Sequence, residues 1–273
     1  METVKDLVKG LFLMLLFALI VFLTGKNKIT IPFVLLLYYI GGLKTKNYKQ
    51  LFLLILPILI IMIVYLFDES SLKSVAILYL FFIPIVSFIG YHFNRRKLII
   101  KILFPVLFIP IGGIFYPNWF NFYENKEARV NLNTPEIKLK TEMKDDVRLD
   151  SIKNKIIVLD FWTTSCGVCF KKFPEYERVF LEYKDNPRVQ FYAVNIPLKK
   201  ETVDSNIAFA NEKVNYQFQN LYAESMTLAD SLGFNAYPHL IILKNGNIRY
   251  SGKLITDTKI YNIRREIDRL LKE

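Results

Sequence analysis

The sequence predicts two parts in tandem: a multi-span α-helical membrane region, followed by an α/β domain whose mixed sheet is flanked by helices. Long apolar runs are concentrated in residues 1–129, whereas residues 130–273 have the composition of a soluble domain. Strand-like and helix-like segments alternate in the second part, as in α/β sandwiches. The 52% hydrophobic and 15% aromatic content excludes a disordered chain, and two cysteines are too few for a disulfide-stapled mini-protein.

The net charge of +11 is distributed unevenly. Residues 1–129 contain 14 Lys/Arg and 6 Asp/Glu, a net charge of +8, which leaves +3 for the rest of the chain. The basic residues of the first part lie mostly in short segments between apolar runs. This pattern favours a membrane topology, and we expect no nucleic-acid partner.

Five apolar runs are candidate transmembrane helices. A helix needs about 20 apolar residues to cross a bilayer, with about 17 as a minimum. Four runs reach that length, and Gly41 and Gly42 let the shorter second run extend or tilt. The first run lacks a small-residue cleavage site, so we interpret it as an uncleaved anchor. The runs are residues 7–24, 29–43, 51–67, 74–93 and 98–115.

The distribution of Lys and Arg predicts the orientation of these runs. With a cytoplasmic N-terminus, eight basic residues fall in cytoplasmic segments and three fall outside. The eight are Lys5, Lys9, Lys44, Lys46, Lys49, Arg95, Arg96 and Lys97, and the three are Lys26, Lys28 and Lys73. This split predicts a multi-pass protein of the cytoplasmic membrane with its C-terminal domain on the periplasmic or extracellular side. The predicted parts are a membrane region 1–116, an aromatic-rich interfacial linker 117–130 and a domain 131–273.

The membrane region carries little that suggests chemistry of its own. Lys101 lies one turn into the last run, and its side chain can reach back to the basic segment at Arg96 and Lys97. This region contains no cysteine, so it cannot relay electrons by thiol exchange on its own.

The second part has an alternating pattern that ends in a hairpin and an amphipathic helix. The dipeptide at residues 245–246, Asn-Gly, is a strong hairpin signal. The predicted strands are residues 155–162, 188–195, 217–223, 238–243 and 247–251, with an added pair at 136–140 and 147–150. The predicted helices are residues 166–183, 200–212, 225–232 and 257–271.

Cys166 and Cys169 are the two cysteines of the chain, and they carry the candidate chemistry. They follow a buried strand and open a helix, whose i and i+3 positions share one face at a separation that a disulfide can close. The helix N-terminus stabilises a thiolate at Cys166, and Cys169 lies one turn deeper. A structural disulfide or half of a zinc site are the alternatives. Zinc needs four ligands and His239 alone does not complete a set, so dithiol redox chemistry is favoured and no metal is expected.

Residues from about 131 to the C-terminus resemble the thioredoxin-like fold, in particular the membrane-anchored TlpA-like (ResA-type) thiol–disulfide oxidoreductases. Two segments carry the resemblance: residues 158–174, VLDFWTTSCGVCFKKFP, and residues 233–246, GFNAYPHLIILKNG. The resemblance covers about half of the chain and does not extend to the apolar runs.

The resemblance implies a role for each matching residue. Cys166 would be the attacking nucleophile and Cys169 would resolve the mixed disulfide. Asp160 matches the buried acid of thioredoxins and would take the proton of Cys169. No cationic partner is evident near Asp160 in the sequence, so burial should raise the pKa of its carboxyl.

Four further positions follow from the second matching segment and from the strand before the cysteines. Pro238 matches the cis-proline that faces the cysteines in this fold. The backbone of Tyr237 would pair with a substrate strand, and Trp162 would wall the site. His239 would flank the proline and either tune the thiolate or act as an ordinary strand residue.

The sequence therefore predicts a membrane-tethered thiol–disulfide oxidoreductase that reduces disulfides of extracytoplasmic proteins. Its redox-active disulfide, Cys166–Cys169, needs no cofactor. The expected partners are extracytoplasmic protein thiols and disulfides, a separate membrane electron donor or acceptor, and the lipid bilayer. One alternative is a redox-sensing or soft-metal-binding domain attached to a five-span transporter or assembly subunit, although a proline packed on the sulfurs would block a metal. Another is an oxidase or isomerase that uses the same cysteines, because sequence does not fix the direction of electron flow.

Overall fold

The computed structural model of the chain describes residues 2–24, 27–67, 72–149, 152–253, 258 and 262–273. The chain separates into two compact units, Met1–Tyr123 and Glu124–Glu273. The predicted linker 117–130 differs from the structure, because a helix continues to Glu124 and a strand begins at Arg129. The aromatic side chains of Trp119 and Phe120 pack on the apolar core of the first unit, which keeps this segment helical.

In the part of the first unit that the structure describes, five helices overlap the five predicted apolar runs. Four of them are long and apolar enough to cross a membrane, and the second, with 17 residues, is shorter, as expected. The last helix contains a 3-10 turn at Phe104–Leu107, which includes Pro105, and a π turn at Ile111–Phe115, which directly follows Pro110. Each proline lacks a backbone N–H donor. The helices are α1 Glu2–Thr24, α2 Asn27–Leu43, α3 Tyr48–Tyr65, α4 Leu72–Phe93 and α5 Leu98–Glu124.

Helices α2 and α4 approach closely because glycine lies at their contacts. A Cβ added at Gly42 would lie 2.1 Å from the carbonyl oxygen of Ser87, and one added at Gly90 would lie 2.3 Å from that of Tyr39. The Lys101 ammonium points back as predicted and donates to the carbonyl of Asn94 at 2.7 Å. Lys26, one of the three basic residues predicted to lie outside, falls outside the described residues.

The second unit contains an eight-stranded mixed sheet and four helices in the part that the structure describes. The strand order is β1-β8-β7-β4-β5-β6-β2-β3. Strands β4, β5 and β6 run parallel, and β7 pairs antiparallel with β4 and β8. The strands are β1 Arg129–Asn133, β2 Lys138–Lys140, β3 Asp146–Arg148, β4 Ile156–Trp162, β5 Val189–Asn195, β6 Gln219–Tyr222, β7 His239–Lys244 and β8 Asn247–Gly252. The helices are α6 Gly167–Tyr183, α7 Val203–Lys213, α8 Thr227–Ser231 and α9 Ile263–Lys272.

The predicted alternation of strands and helices is confirmed, with shifts of a few residues at the ends. The closing helix begins at Ile263, later than predicted, and most of the predicted segment before it lies outside the described residues, as does Asp150 at the end of one predicted strand. Strand β1 was not predicted, because its polar residues carry a weak strand signal. Its pairing with β8 joins residues such as Arg129 and Tyr250, which are far apart in sequence.

Strand β4 is buried along its whole length. Ile156 and Val158 face an apolar cluster that includes side chains of α6 and α9, whereas Ile157 and Leu159 face a second cluster on the opposite side of the sheet. A strand that is covered on both faces usually has a continuous apolar sequence. The sequence of β4 is apolar throughout except for Asp160.

We predict that Glu266→Ala destabilises the second unit by about 2 kcal/mol, because it removes a buried hydrogen-bonded charge pair. The Glu266 carboxylate is buried on α9 and accepts from Arg129 Nε at 3.0 Å, which ties α9 to β1. Urea unfolding of the detergent-solubilised chain, followed by Trp162 fluorescence in a Trp119→Phe background, measures this change. Glu212→Ala, in an exposed pair with Lys213, should leave the free energy of unfolding nearly unchanged. Equal effects of the two substitutions would contradict the assignment.

Candidate active site

The two cysteines lie at the start of the helix that follows the central strand. Strand β4 ends at Trp162, and α6 begins at Gly167 with Cys166 as its N-cap residue. Cys166 and Cys169 form a disulfide with their Cα atoms 5.3 Å apart. The Cys166 sulfur accepts from the backbone N–H of Cys169 at 3.2 Å, so it occupies the site at which a helix N-terminus offers unpaired donors. The same position stabilises a thiolate once the disulfide is reduced.

The two sulfur-bearing residues differ in exposure. Cys169 is fully buried, whereas Cys166 is partly exposed. Ser165 and Gly167 are exposed beside it, and Val168 is 63% exposed. A large partner can therefore approach Cys166 but not Cys169.

Pro238 lies at the same end of the sheet as the cysteines. The Tyr237–Pro238 peptide bond is cis, and β7 begins at the next residue. Because His239 pairs with Phe161, the antiparallel register places Pro238 opposite Trp162, where the cysteine loop leaves β4. Tyr237 is half-buried there. The register thus brings the proline, the tyrosine and the cysteine loop to one edge.

Asp160 is a fully buried carboxylate on the face of β4 that α6 covers. Its Oδ1 accepts from Lys172 Nζ at 2.7 Å, and the Lys172 side chain is only 9% exposed. Burial raises the pKa of Asp160 above its usual value, and the nearby Lys172 charge opposes that rise without cancelling it. The raised pKa of Asp160 agrees with the expectation from the sequence. The cationic partner lies 12 residues away in the chain and was not anticipated, because α6 folds Lys172 back over the strand. The available signal was its position three residues after Cys169, on the same face of the helix.

Trp162 does not wall the site, which corrects the expectation for this residue. Its side chain is fully buried and packs edge-on against Phe170 and Phe173, with ring centroids 5.9 and 5.8 Å away. As the last residue of β4 it faces the same core as Cys169. Its ring packs against the side chains of the first turns of α6 and is inaccessible to a substrate.

His239 is also enclosed and supplies no positive charge to the cysteines. Its ring stacks on Phe234 at a centroid distance of 4.2 Å, and its Nε2 lies 2.9 Å from the Ser251 hydroxyl. Burial, with smaller contributions from the charges of Lys172 and Lys253, lowers the pKa of His239 to about 4. The imidazole is therefore neutral near pH 7, and of the two expected roles its surroundings support that of an ordinary strand residue.

One contact of the cysteine loop was not anticipated from the sequence. The Thr164 hydroxyl donates to the carboxylate of Glu201, which also accepts the backbone N–H of Leu198 at 2.9 Å. This carboxylate ties the loop before Cys166 to the segment between β5 and α7. Among the residues that the structure describes, no three His, Cys, Asp or Glu side chains are grouped as metal ligands.

Comparison with known proteins identifies the second unit. Residues 130–251 match the model of the AhpC/TSA family. The matched segment is less than half of the chain, and it resembles the domains of that family. The disulfide at the start of α6 lies within it, and the chain is a thiol–disulfide oxidoreductase of thioredoxin fold.

Curated relatives match the same part of the chain. The thioredoxin-like domain is 23% identical over 141 residues to the thiol-disulfide oxidoreductase ResA of Halalkalibacterium halodurans, which covers 52% of this chain and 76% of that protein. It is 29% identical over 113 residues to the thioredoxin-like protein YneN of Bacillus subtilis. That match covers 41% of this chain and 65% of YneN.

Solved structures also resemble the domain. A putative thiol-disulfide oxidoreductase from Bacteroides vulgatus is 19% identical with a TM-score of 0.44, covering 50% of this chain and 93% of that one. A putative thiol:disulfide interchange protein DsbE from Chlorobium tepidum is 18% identical with a TM-score of 0.40, covering 54% and 95%.

We predict that Asp160→Asn changes how the stability of the thioredoxin-like domain depends on pH. The folded-state pKa of Asp160 is raised, so the folded state binds its proton more tightly than the unfolded chain does. Wild-type stability relative to the Asn variant therefore falls as pH rises above the unfolded value of about 3.9, and it levels off above the folded pKa. Urea unfolding at a series of pH values measures the difference. Asp185→Asn, at an exposed position, is the control for removing a surface carboxylate. A pH-independent difference between wild type and Asp160→Asn would contradict a raised pKa of the buried carboxyl.

Proposed function

We propose that the chain is a membrane-tethered thiol–disulfide oxidoreductase that reduces disulfide bonds of extracytoplasmic proteins through Cys166 and Cys169. The unequal exposure of the two cysteines at the start of α6 carries the proposal. A partly exposed nucleophile beside a buried resolving thiol suits a reaction in two steps. The relatives named as thiol-disulfide oxidoreductases support the same reaction class.

In the first step the Cys166 thiolate attacks one sulfur of a substrate disulfide, and the other substrate sulfur leaves as a thiolate. In the second step Cys169 loses its proton and attacks Cys166, which releases the second substrate thiolate and forms the Cys166–Cys169 disulfide. The substrate disulfide gains two electrons and the cysteine pair loses two. A separate membrane electron donor then reduces the pair again.

The roles proposed for three neighbouring residues follow from their places at the site. Asp160 accepts the proton of Cys169, since it is buried under the helix that carries this cysteine. Pro238 presents a surface without an N–H group at the cysteine edge, and the backbone of Tyr237 pairs with the substrate. The Tyr237 side chain is accessible enough to contact a bound segment.

The membrane tether is proposed from the apolar helices and the distribution of charge. Four helices of the first unit have the length and composition of membrane spans. The shorter α2, with 17 residues, is proposed as the fifth span. The eight-to-three division of Lys and Arg favours an N-terminus in the cytoplasm, which leaves the thioredoxin-like domain outside. Protein disulfides persist on that side, so a reductase has substrates there. The tether raises the local concentration of the domain near membrane partners.

We predict that Cys169→Ser traps substrates and that Cys166→Ser does not. Without Cys169, Cys166 still attacks, but nothing in the protein resolves the adduct. Mixed-disulfide complexes of Cys169→Ser should appear on non-reducing gels of cell membranes and disappear with reductant. The Cys166→Ser/Cys169→Ser double variant is the control and should trap nothing. Equal trapping by the two single variants would show that the nucleophile and the resolving thiol are assigned wrongly.

We predict that Glu127 lies outside the cytoplasm and Lys97 inside it. In a Cys166→Ser/Cys169→Ser background, Glu127→Cys should react with a membrane-impermeant maleimide in intact cells. Lys97→Cys should react only after the cells are permeabilised. Both residues are exposed, so accessibility within the protein does not limit labelling. Labelling of Lys97→Cys but not Glu127→Cys in intact cells would reverse the proposed orientation.

A further inference from the structure

The cation that meets Asp160 belongs to the helix that carries the cysteines. Lys172 lies three residues after Cys169 on α6, so both side chains are on one face of the helix. Val158 and Trp162, two residues to either side of Asp160, pack in the same apolar cluster as Cys169. Cys169, Asp160 and Lys172 therefore occupy one buried layer between β4 and α6.

The two oxygens of the Asp160 carboxylate have different surroundings. Oδ1 accepts from Lys172 Nζ at 2.7 Å, whereas Oδ2 is buried without a hydrogen-bond partner among the described residues. A buried carboxylate oxygen without a partner is costly, because it has lost its hydration without replacement. This cost is relieved when Oδ2 binds a proton.

We propose that Lys172 is a positioning residue of the resolving step, which holds Asp160 ionised through Oδ1 so that Oδ2 takes the proton of Cys169. This inference rests on the proposed function. The Cys169 S–H bond breaks, the proton moves to Oδ2, and the resulting thiolate attacks Cys166. The bond between Cys166 and the substrate sulfur breaks, and the substrate thiolate leaves with the electron pair. The proton on Asp160 later passes to solvent, which restores the ion pair.

The other titratable groups around this layer do not compete for the proton. The Tyr176 hydroxyl on α6 lies 3.1 Å from the carbonyl oxygens of Val158 and Tyr192, and burial raises its pKa well above the usual value. His239 on β7 has a pKa of about 4. Both groups are neutral near pH 7, so neither adds a charge beside the Lys172–Asp160 pair. On α9 the buried Glu266 is paired with Arg129 and Arg269.

The test is the pH dependence of resolution in the full-length reduced protein in detergent. With 5,5′-dithiobis(2-nitrobenzoate) as the substrate disulfide, Cys166 releases one thionitrobenzoate in a first phase and Cys169 releases another in a second. We expect Lys172→Met to shift the acid limb of the second-phase rate upward by about 1–3 pH units, which is the usual effect of losing an opposite charge at this distance. The first phase should be unchanged.

Three comparisons separate a charge effect from a structural one. Lys172→Arg keeps the charge, so the acid limb of the second-phase rate should stay at the wild-type pH. Lys172→Gln keeps a hydrogen-bond donor without the charge, so the acid limb should shift upward as in Lys172→Met. Lys171→Met, on the exposed side of the same helix, should leave the profile unmoved. In an Asp160→Asn background, Lys172→Met should cause no further shift.

Two outcomes separate this inference from the proposed function. A second phase whose acid limb stays at the wild-type pH in both Lys172→Met and Lys172→Gln would show that Lys172 is only structural and would overturn the inference. A wild-type protein that lacks the first phase would instead contradict the proposed function. The Gln variant keeps the test decisive if the Met variant fails to fold.

Discussion

The burial of β4 on both faces is the constraint on which the thioredoxin-like domain depends. The strand pairs with β5 on one side and β7 on the other, so it fixes the position of every element next to it. The loop that leaves its end carries the cysteines, and the register with β7 brings Pro238 to the same edge. A carboxylate in the middle of this strand is tolerated because the next helix returns a lysine to it.

The charges around the cysteines come from few sources. His239 is neutral and turned into the core, so it adds no positive charge. The backbone donors at the start of α6 act on Cys166, and the Lys172–Asp160 pair lies beneath α6. Backbone N–H donors therefore act on the partly exposed Cys166 sulfur, and one ion pair supplies the charges of the buried layer between β4 and α6. A single substitution can change one of these without directly changing the other.

Much of the fold could be predicted because its signals are local. The spacing of the cysteines, the apolar run of β4 and the Asn-Gly turn each lie within a few residues of sequence. The Lys172–Asp160 contact could not be derived in this way, because it depends on how α6 crosses the sheet. The burial of Trp162 has the same origin: residues of α6 and α7, such as Phe170 and Phe209, close over it. The edge strand β1 is defined by a partner more than 100 residues away, and its own residues only permit the pairing.

The glycine contacts between α2 and α4 imply that the helical unit tolerates sequence change unevenly. Most of its apolar side chains can be exchanged for others of similar volume, since Leu, Ile, Val and Phe serve equally well on an apolar surface. Gly42 and Gly90 have no such freedom, because the opposing backbone oxygen occupies the space of a methyl group. Evolutionary drift in this half of the chain should therefore be rapid on the outward faces and nearly absent at these two points. The two glycines would then mark the packing of α2 and α4 in distant relatives whose other helical residues no longer align.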